Sequence, residues 1–249
     1  MKKPDHFLLL MWLVVTGLVV FGFVVSLDQG LVQAMIDTDR SRICMVILAI
    51  YAVGLTHSFQ RTLYLSRQLD LSHATHDFLN ARQGAALRLD KGRICAPDGA
   101  PMPSGFVSRY VCDLVRAMQT VRPAGQPAEA NADLLEAYAS KVRATHEFGW
   151  FVIDVMLKVG FLGTLVGFIL MLASISDQAV LDASMMQLVL KKMSYGMSTA
   201  LNTTLASLVG GILLSIPYYL LDRSLDDLLE RTIQLTEVEI LPRLALQPA

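Results

Sequence analysis

Four stretches of this chain are long and apolar enough to cross a lipid bilayer, and that limits the fold more than any other feature. Phe7 to Leu27 is an uncharged run of 21 residues. Ile43 to Phe59 is shorter, uncharged apart from the titratable His57, and close to the lower limit of about 17 residues for a span. Asp154 to Ile175 carries Asp154 and Lys158 near its start, and Tyr195 to Leu221 is uncharged throughout. Inside lipid every backbone N–H and C=O must find its partner within the protein, and segments of this length do so as helices. The predicted fold class is all-α, a polytopic membrane protein with four transmembrane helices. The net charge of -1 with 53% hydrophobic residues gives no electrostatic basis for nucleic-acid binding.

Orientation follows from where lysine and arginine fall. Gln60 to Trp150 holds eleven of the 21, Lys2 and Lys3 precede the first span, and Arg223, Arg231 and Arg243 follow the last. The two connections on the other side hold only Arg40, Arg42, Lys191 and Lys192. Both termini and the middle segment are therefore expected to be cytoplasmic. A cleaved signal peptide is the alternative reading of the first run, but that run is too long for an h-region and no small-x-small site follows it.

The middle segment reads as helix. Leu63, Leu69, Phe78 and Leu87 lie among polar residues from Arg61 to Asp90. Prolines and glycines from Gly92 to Gly105 stop regular structure, Phe106 to Val121 is amphipathic, and Arg122 to Pro127 is a second break. Leu134, Leu135, Tyr138, Val142 and Phe148 recur at helical spacing into the third span, while Leu225, Leu228, Leu229 and Ile233 extend the fourth until Pro242. The expected organisation is 1–59, two peripheral transmembrane helices; 60–150, a cytoplasmic helical region; 151–221, a pore-lining hairpin; and 222–249, a cytoplasmic helical tail. The soluble part is built partly from extended membrane helices.

Cys44 sits in a span, and Cys95 and Cys112 on the cytoplasmic side, where disulfides rarely persist. The histidines are scattered; His73 with His76 is only weakly ligand-like, so no metal site is expected. With no Walker loop, GxGxxG or GxSxG, neither an enzyme nor a cofactor is expected.

Threonines then stand out inside the last two spans. Thr164 lies about 11 residues from the outer end of its segment and Thr204 about 11 residues into the next. At ~1.5 Å per residue both reach roughly 16 Å deep, near the middle of a ~30 Å hydrocarbon core. Gly160, Thr164, Gly167 and Met171 share a face with Gly163 beside it, and Ala200, Thr203, Thr204, Ser207, Gly210 and Gly211 form a small-residue stripe. Such stripes let membrane helices approach closely, with hydroxyls bonded back to their own helices. Three hydroxyls at one level also suit a coordination ring or a water-wire lining. Thr164, Thr203, Thr204 and Asp154 are the candidate ion-pathway residues; Gly160, Gly163, Gly167, Ser207 and Pro217 are the candidate packing and coupling residues.

GFLGTLVGFILML (Gly160 to Leu172) and ALNTTLASLVGGILLSIP (Ala200 to Pro217) resemble the last two helices of the MotA/TolQ/ExbB family, the ion-conducting subunits of bacterial rotary stators and envelope energy transducers. Four spans and a large middle segment are closer to the MotA/PomA-like branch than to the three-span TolQ and ExbB branch. The resemblance implies a homopentameric ring in the inner membrane around a dimer of a single-span MotB/ExbD-like partner bearing a membrane aspartate, with H+ or Na+ as the transported ion. Asp154 matches an acidic position at the cytoplasmic mouth. The flagellar members carry a proline shortly after that acid, which here is replaced by VMLKVG (Val155 to Gly160), whereas Pro217 matches the proline of the last helix. Threonine does not titrate near neutral pH, and no acid of this chain reaches midplane depth, so a proton relay needs a carboxylate from another subunit. The competing reading is an oligomeric membrane scaffold that conducts nothing.

Overall fold

The computed structural model describes residues 7–39, 41–82, 84–90, 93–120, 127–176 and 183–244. Its elements are α1 (Phe7–Asp28), α2 (Leu31–Thr38), α3 (Ile43–Asn80), β1 (Arg88–Asp90), β2 (Arg93–Cys95), α4 (Phe106–Thr120), α5 (Pro127–Ser176) and α6 (Ala183–Gln234). A π-helical stretch (Leu235–Ile240) and a 3₁₀ turn (Leu241–Arg243) follow. Among the described residues 86% are helical, and four helices are long and apolar enough to span a membrane. The break expected over Arg122 to Pro127 lies outside the described residues except for Pro127, which opens α5. The six residues before α1, Lys2 and Lys3 among them, also lie outside the described residues, as does Arg40.

Two expectations are corrected: helix from Arg61 to Asp90, and a lack of regular structure from Gly92 to Gly105, where Arg93–Cys95 forms β2. The helix after the second span ends at Asn80 and not at Asp90, because Gly84 sits at a left-handed φ of 79° and the chain then turns into a small antiparallel hairpin. Leu89 pairs with Ile94 across β1 and β2 and faces the core, while Arg88, Asp90 and Arg93 face outward. The connection between the first two spans holds α2, a helix of 8 residues. It ends at Asp39, whose carboxylate accepts from Ser41 N at 3.0 Å, Ser41 Oγ at 2.6 Å and Cys44 N at 2.8 Å. Asp39 thus satisfies the orphan amide of Cys44 at the start of α3, and Ser41 Oγ accepts from Ile43 N at 3.3 Å. Burial pushes the Asp39 carboxyl up, yet the bonds from Ser41 and Cys44 outweigh it and hold the group below its ordinary value.

The chain divides into two compact units. One comprises Met1–Leu10, Arg61–His146 and Leu220–Ala249. Its core gathers Leu79, Leu87, Ile94, Val111, Leu114 and Ile240 around α4, whose residues 106, 107, 110, 111, 114 and 115 are buried at helical spacing. Gln68 caps α4 by accepting from Phe106 N at 2.8 Å. The other unit comprises Met11–Gln60 and Glu147–Tyr219. There α1 leaves Leu13, Leu18 and Phe21 more than half exposed, the surface of a helix whose environment is lipid. Trp12 anchors it to α3, donating to Ser58 Oγ at 3.1 Å and packing on Phe59.

Candidate functional site

In the second unit α5 and α6 pack as an antiparallel hairpin with almost no side chain between them. A methyl group built on Gly160 would sit 1.8 Å from Ser207 Oγ, and one on Gly163 would sit 2.5 Å from Thr203 Oγ1. Further along α5 backbone meets backbone: a Cβ on Gly167 would lie 2.6 Å from Ala200 N, and one on Gly196 would lie 2.7 Å from Met171 N. Each turn up α5 is matched by a turn down α6, so the contacts fix one register and leave Thr164 level with Thr203 and Thr204. Dispersion is the main adhesive available within lipid, and glycines at these positions maximise it.

The hydroxyls separate into two groups. Thr203 is fully buried against Gly163, and its Oγ1 lies 3.0 Å from both the Thr199 and Ala200 carbonyls of its own helix. Ser207 is 2% exposed and donates to Thr204 O. Thr164 and Thr204 are only half-buried. Thr164 donates to Phe161 O at 2.5 Å and Thr204 to Ala200 O at 3.2 Å. A hydroxyl whose proton is engaged this way presents lone pairs outward, the arrangement a cation or a water chain needs.

Helical periodicity shows where those lone pairs lie. At about 100° per residue Thr164 and Gly163 fall on opposite flanks of the α5 contact stripe, as do Thr204 and Thr203 on α6. Because the helices run antiparallel, Thr164 and Thr204 share one flank of the hairpin. The other flank is covered by α2 and α3: Thr199 donates to Thr38 O at 3.1 Å, and a Cβ on Gly54 of α3 would touch Val152 Cγ1 at 3.3 Å. On the threonine flank Phe161, Phe168, Leu201 and Leu208 are exposed. Two recessed hydroxyls thus sit within an open apolar face.

Asp154 lies earlier in α5, before Gly160, its side chain 53% exposed and paired with Lys158 Nζ at 2.5 Å. The pair spans one helical turn with the acid N-terminal, the favourable order. Pro217 is buried in α6 and removes the amide that Leu213 O would otherwise accept from. Among the described residues no group of three or more histidine, cysteine or acidic side chains could hold a metal ion. His73 Nε2 lies 2.7 Å from Arg231 Nη1, and His76 pairs with Glu239 at 3.2 Å.

Sequence reasoning missed one cluster. Tyr218, fully buried next to Pro217, places its hydroxyl 2.8 Å from His57 Nδ1 and 3.1 Å from Gly54 O. Its ring occupies the space a side chain at Gly149 would need, since a Cβ there would lie 1.9 Å from Tyr218 Cε1. Nothing in the local pattern of any of these residues links them. Sequence reasoning also missed the buried His146, whose Nδ1 lies 3.2 Å from Asp222 Oδ1 in the first unit.

Residues 111–234, about half of the chain, match the model of the MotA/TolQ/ExbB proton channel family. The match takes in all of α5 and α6 and most of α4. No curated protein and no solved structure gives a match.

Proposed function

Because this chain is a multi-pass membrane protein that belongs to the MotA/TolQ/ExbB proton channel family, we propose that it is the pore-forming subunit of an ion-driven complex. In this reading five copies form a ring in the bacterial inner membrane with both termini and the middle segment cytoplasmic. The ring surrounds a dimer of a single-span partner whose membrane aspartate carries the ion, and ion flow becomes rotation or force on that partner. The observation that carries the reading is the pair Thr164 and Thr204, level with each other on the flank of the hairpin that α2 and α3 leave open. An apolar face with two recessed oxygen ligands suits an apolar helix bearing one carboxylate. Hydroxyl oxygens then replace part of a cation's hydration shell or order water beside that carboxylate. Asp154 would serve as an acidic residue at the cytoplasmic mouth, exchanging Lys158 for the passing cation. The buried Thr203 hydroxyl is better suited to packing than to coordination, which leaves Thr164 and Thr204 as the ligating pair.

The test is reconstitution of the complex with its single-span partner in vesicles. Ion uptake should be lost in the Thr164→Ala, Thr204→Ala double variant while the oligomer keeps its size. Full uptake by that variant removes the pore assignment. A wild-type complex that assembles and conducts nothing establishes the scaffold reading instead. Uptake in sodium-free buffer under a proton gradient rules out obligatory sodium coupling.

A further inference from the structure

The cluster at Tyr218 sets one hydroxyl between a carbonyl and an imidazole. The tyrosine hydroxyl owns one hydrogen and lies within hydrogen-bond reach of Gly54 O at 3.1 Å and His57 Nδ1 at 2.8 Å. A carbonyl only accepts, so the hydrogen bond to Gly54 consumes the phenolic proton. The bond to His57 then forms only if the imidazole donates, which requires hydrogen on Nδ1. Both bonds run from α6 to α3, and the tyrosine ring is seated over Gly149 of α5. His57 also meets Phe148 edge-on at 5.1 Å. Three helices are therefore joined at one buried residue.

Its place in the chain gives that junction a consequence. Pro217 deletes a rung of the helical ladder at Leu213 O, and missing rungs are where long helices bend. The residue after the missing rung is the one tied down. We propose that Tyr218 is a positioning residue for α6 just after Pro217. Its hydroxyl, held between Gly54 O and the Nδ1–H of His57, keeps the Pro217 hinge closed, and any swing of α6 there must first part this pair. Tyr218 acts through the helix it holds. What a swing does to ion flow rests on the function proposed above, whereas the latch itself does not.

Two measurements on the full-length assembly in nanodiscs decide the matter, and neither needs conduction. The first is nitrogen NMR of histidine-labelled protein, with the His57 signals assigned by their loss in His57→Gln. The wild type should show His57 with Nδ1 protonated, and Tyr218→Phe should shift it toward the Nε2–H form. A wild-type His57 in the Nε2–H form overturns the proposal, because the hydroxyl would then serve the histidine and not bridge to Gly54. The second is amide hydrogen exchange at Leu213 to Ile216. Exchange should rise about fivefold to tenfold in Tyr218→Phe; a tenfold rise corresponds to about 1.4 kcal/mol, the scale of one or two net hydrogen bonds. A smaller rise, about threefold, is expected in His57→Leu, which leaves the tyrosine in place and decides the question if Tyr218→Phe does not assemble. Unchanged exchange in both variants overturns the latch.

Discussion

The closest backbone approach between α5 and α6 gives the sharpest test of how the hairpin is held. Gly167→Ala adds one methyl group at a point 2.6 Å from Ala200 N, 2.7 Å from Gly196 O and 2.8 Å from Ala200 Cβ. Comfortable separations are about 3.5–4.0 Å, so the helices must part by roughly 1 Å. Two of those three atoms are backbone and cannot rotate away. Overpacking of this kind costs about 1–3 kcal/mol, and the upper part of that range applies where rotamers give no relief. Against it stands about 1 kcal/mol of improved helix propensity when glycine becomes alanine. The net expectation is a loss of about 1–2 kcal/mol. Gly17→Ala in α1 is the matched control, since nothing lies within 4 Å of a Cβ there, and it should be neutral or slightly stabilising. Unfolding of the purified complex by sodium dodecyl sulfate, followed by the fluorescence of Trp12 and Trp150, would rank the three proteins. The Gly167→Ala midpoint should fall below wild type and the Gly17→Ala midpoint should not. Coincident midpoints for the two variants would refute the close-packing argument and, with it, the register that levels Thr164 with Thr204.

Two further outcomes follow from the site and from the turn at Asp39. Thr203→Val removes a hydroxyl bonded only to carbonyls of its own helix while keeping the shape packed against Gly163. Ion uptake should stay within about twofold of wild type, whereas Thr204→Ala should abolish it; equal losses would place Thr203 among the ligands. Asp39→Asn should destabilise the protein by about 1 kcal/mol at neutral pH, in the range of a lost helix cap. The sign with pH is fixed: a carboxyl held below its ordinary 3.8 stabilises the fold above about pH 4, and that gain disappears as pH falls through the lower folded value. Melting curves of wild type and variant should therefore converge in acid, and a gap that widens below pH 4 would contradict the cap.

The features legible in the sequence were those that repeat or that lipid enforces. Uncharged runs of membrane length can hardly be anything but helices, and the glycines and small residues from Gly160 to Gly211 report close approach because little else fits there. Burial at Gly163 and Thr203 uses that same signal. What periodicity could not supply was the sense of each flank. Thr203 and Thr204 are neighbours in sequence but about 100° apart on the helix, so only the contacts of α2 and α3 decide which of them faces outward. Short-range turn chemistry decided the end of α3, where Gly84 adopts a left-handed conformation that a run of helix-compatible residues conceals. The Tyr218 cluster was hidden for a different reason. Gly54 and His57, Gly149, and Tyr218 come from three segments, and each reads as ordinary beside its own neighbours. Only the fit of a ring over a missing side chain, with one hydroxyl held between a carbonyl and an imidazole, makes them a unit. In a membrane helix such a unit has unusual leverage. Hydrophobic burial does not hold one span against another in lipid, so the few polar ties between spans govern where a proline-weakened helix bends.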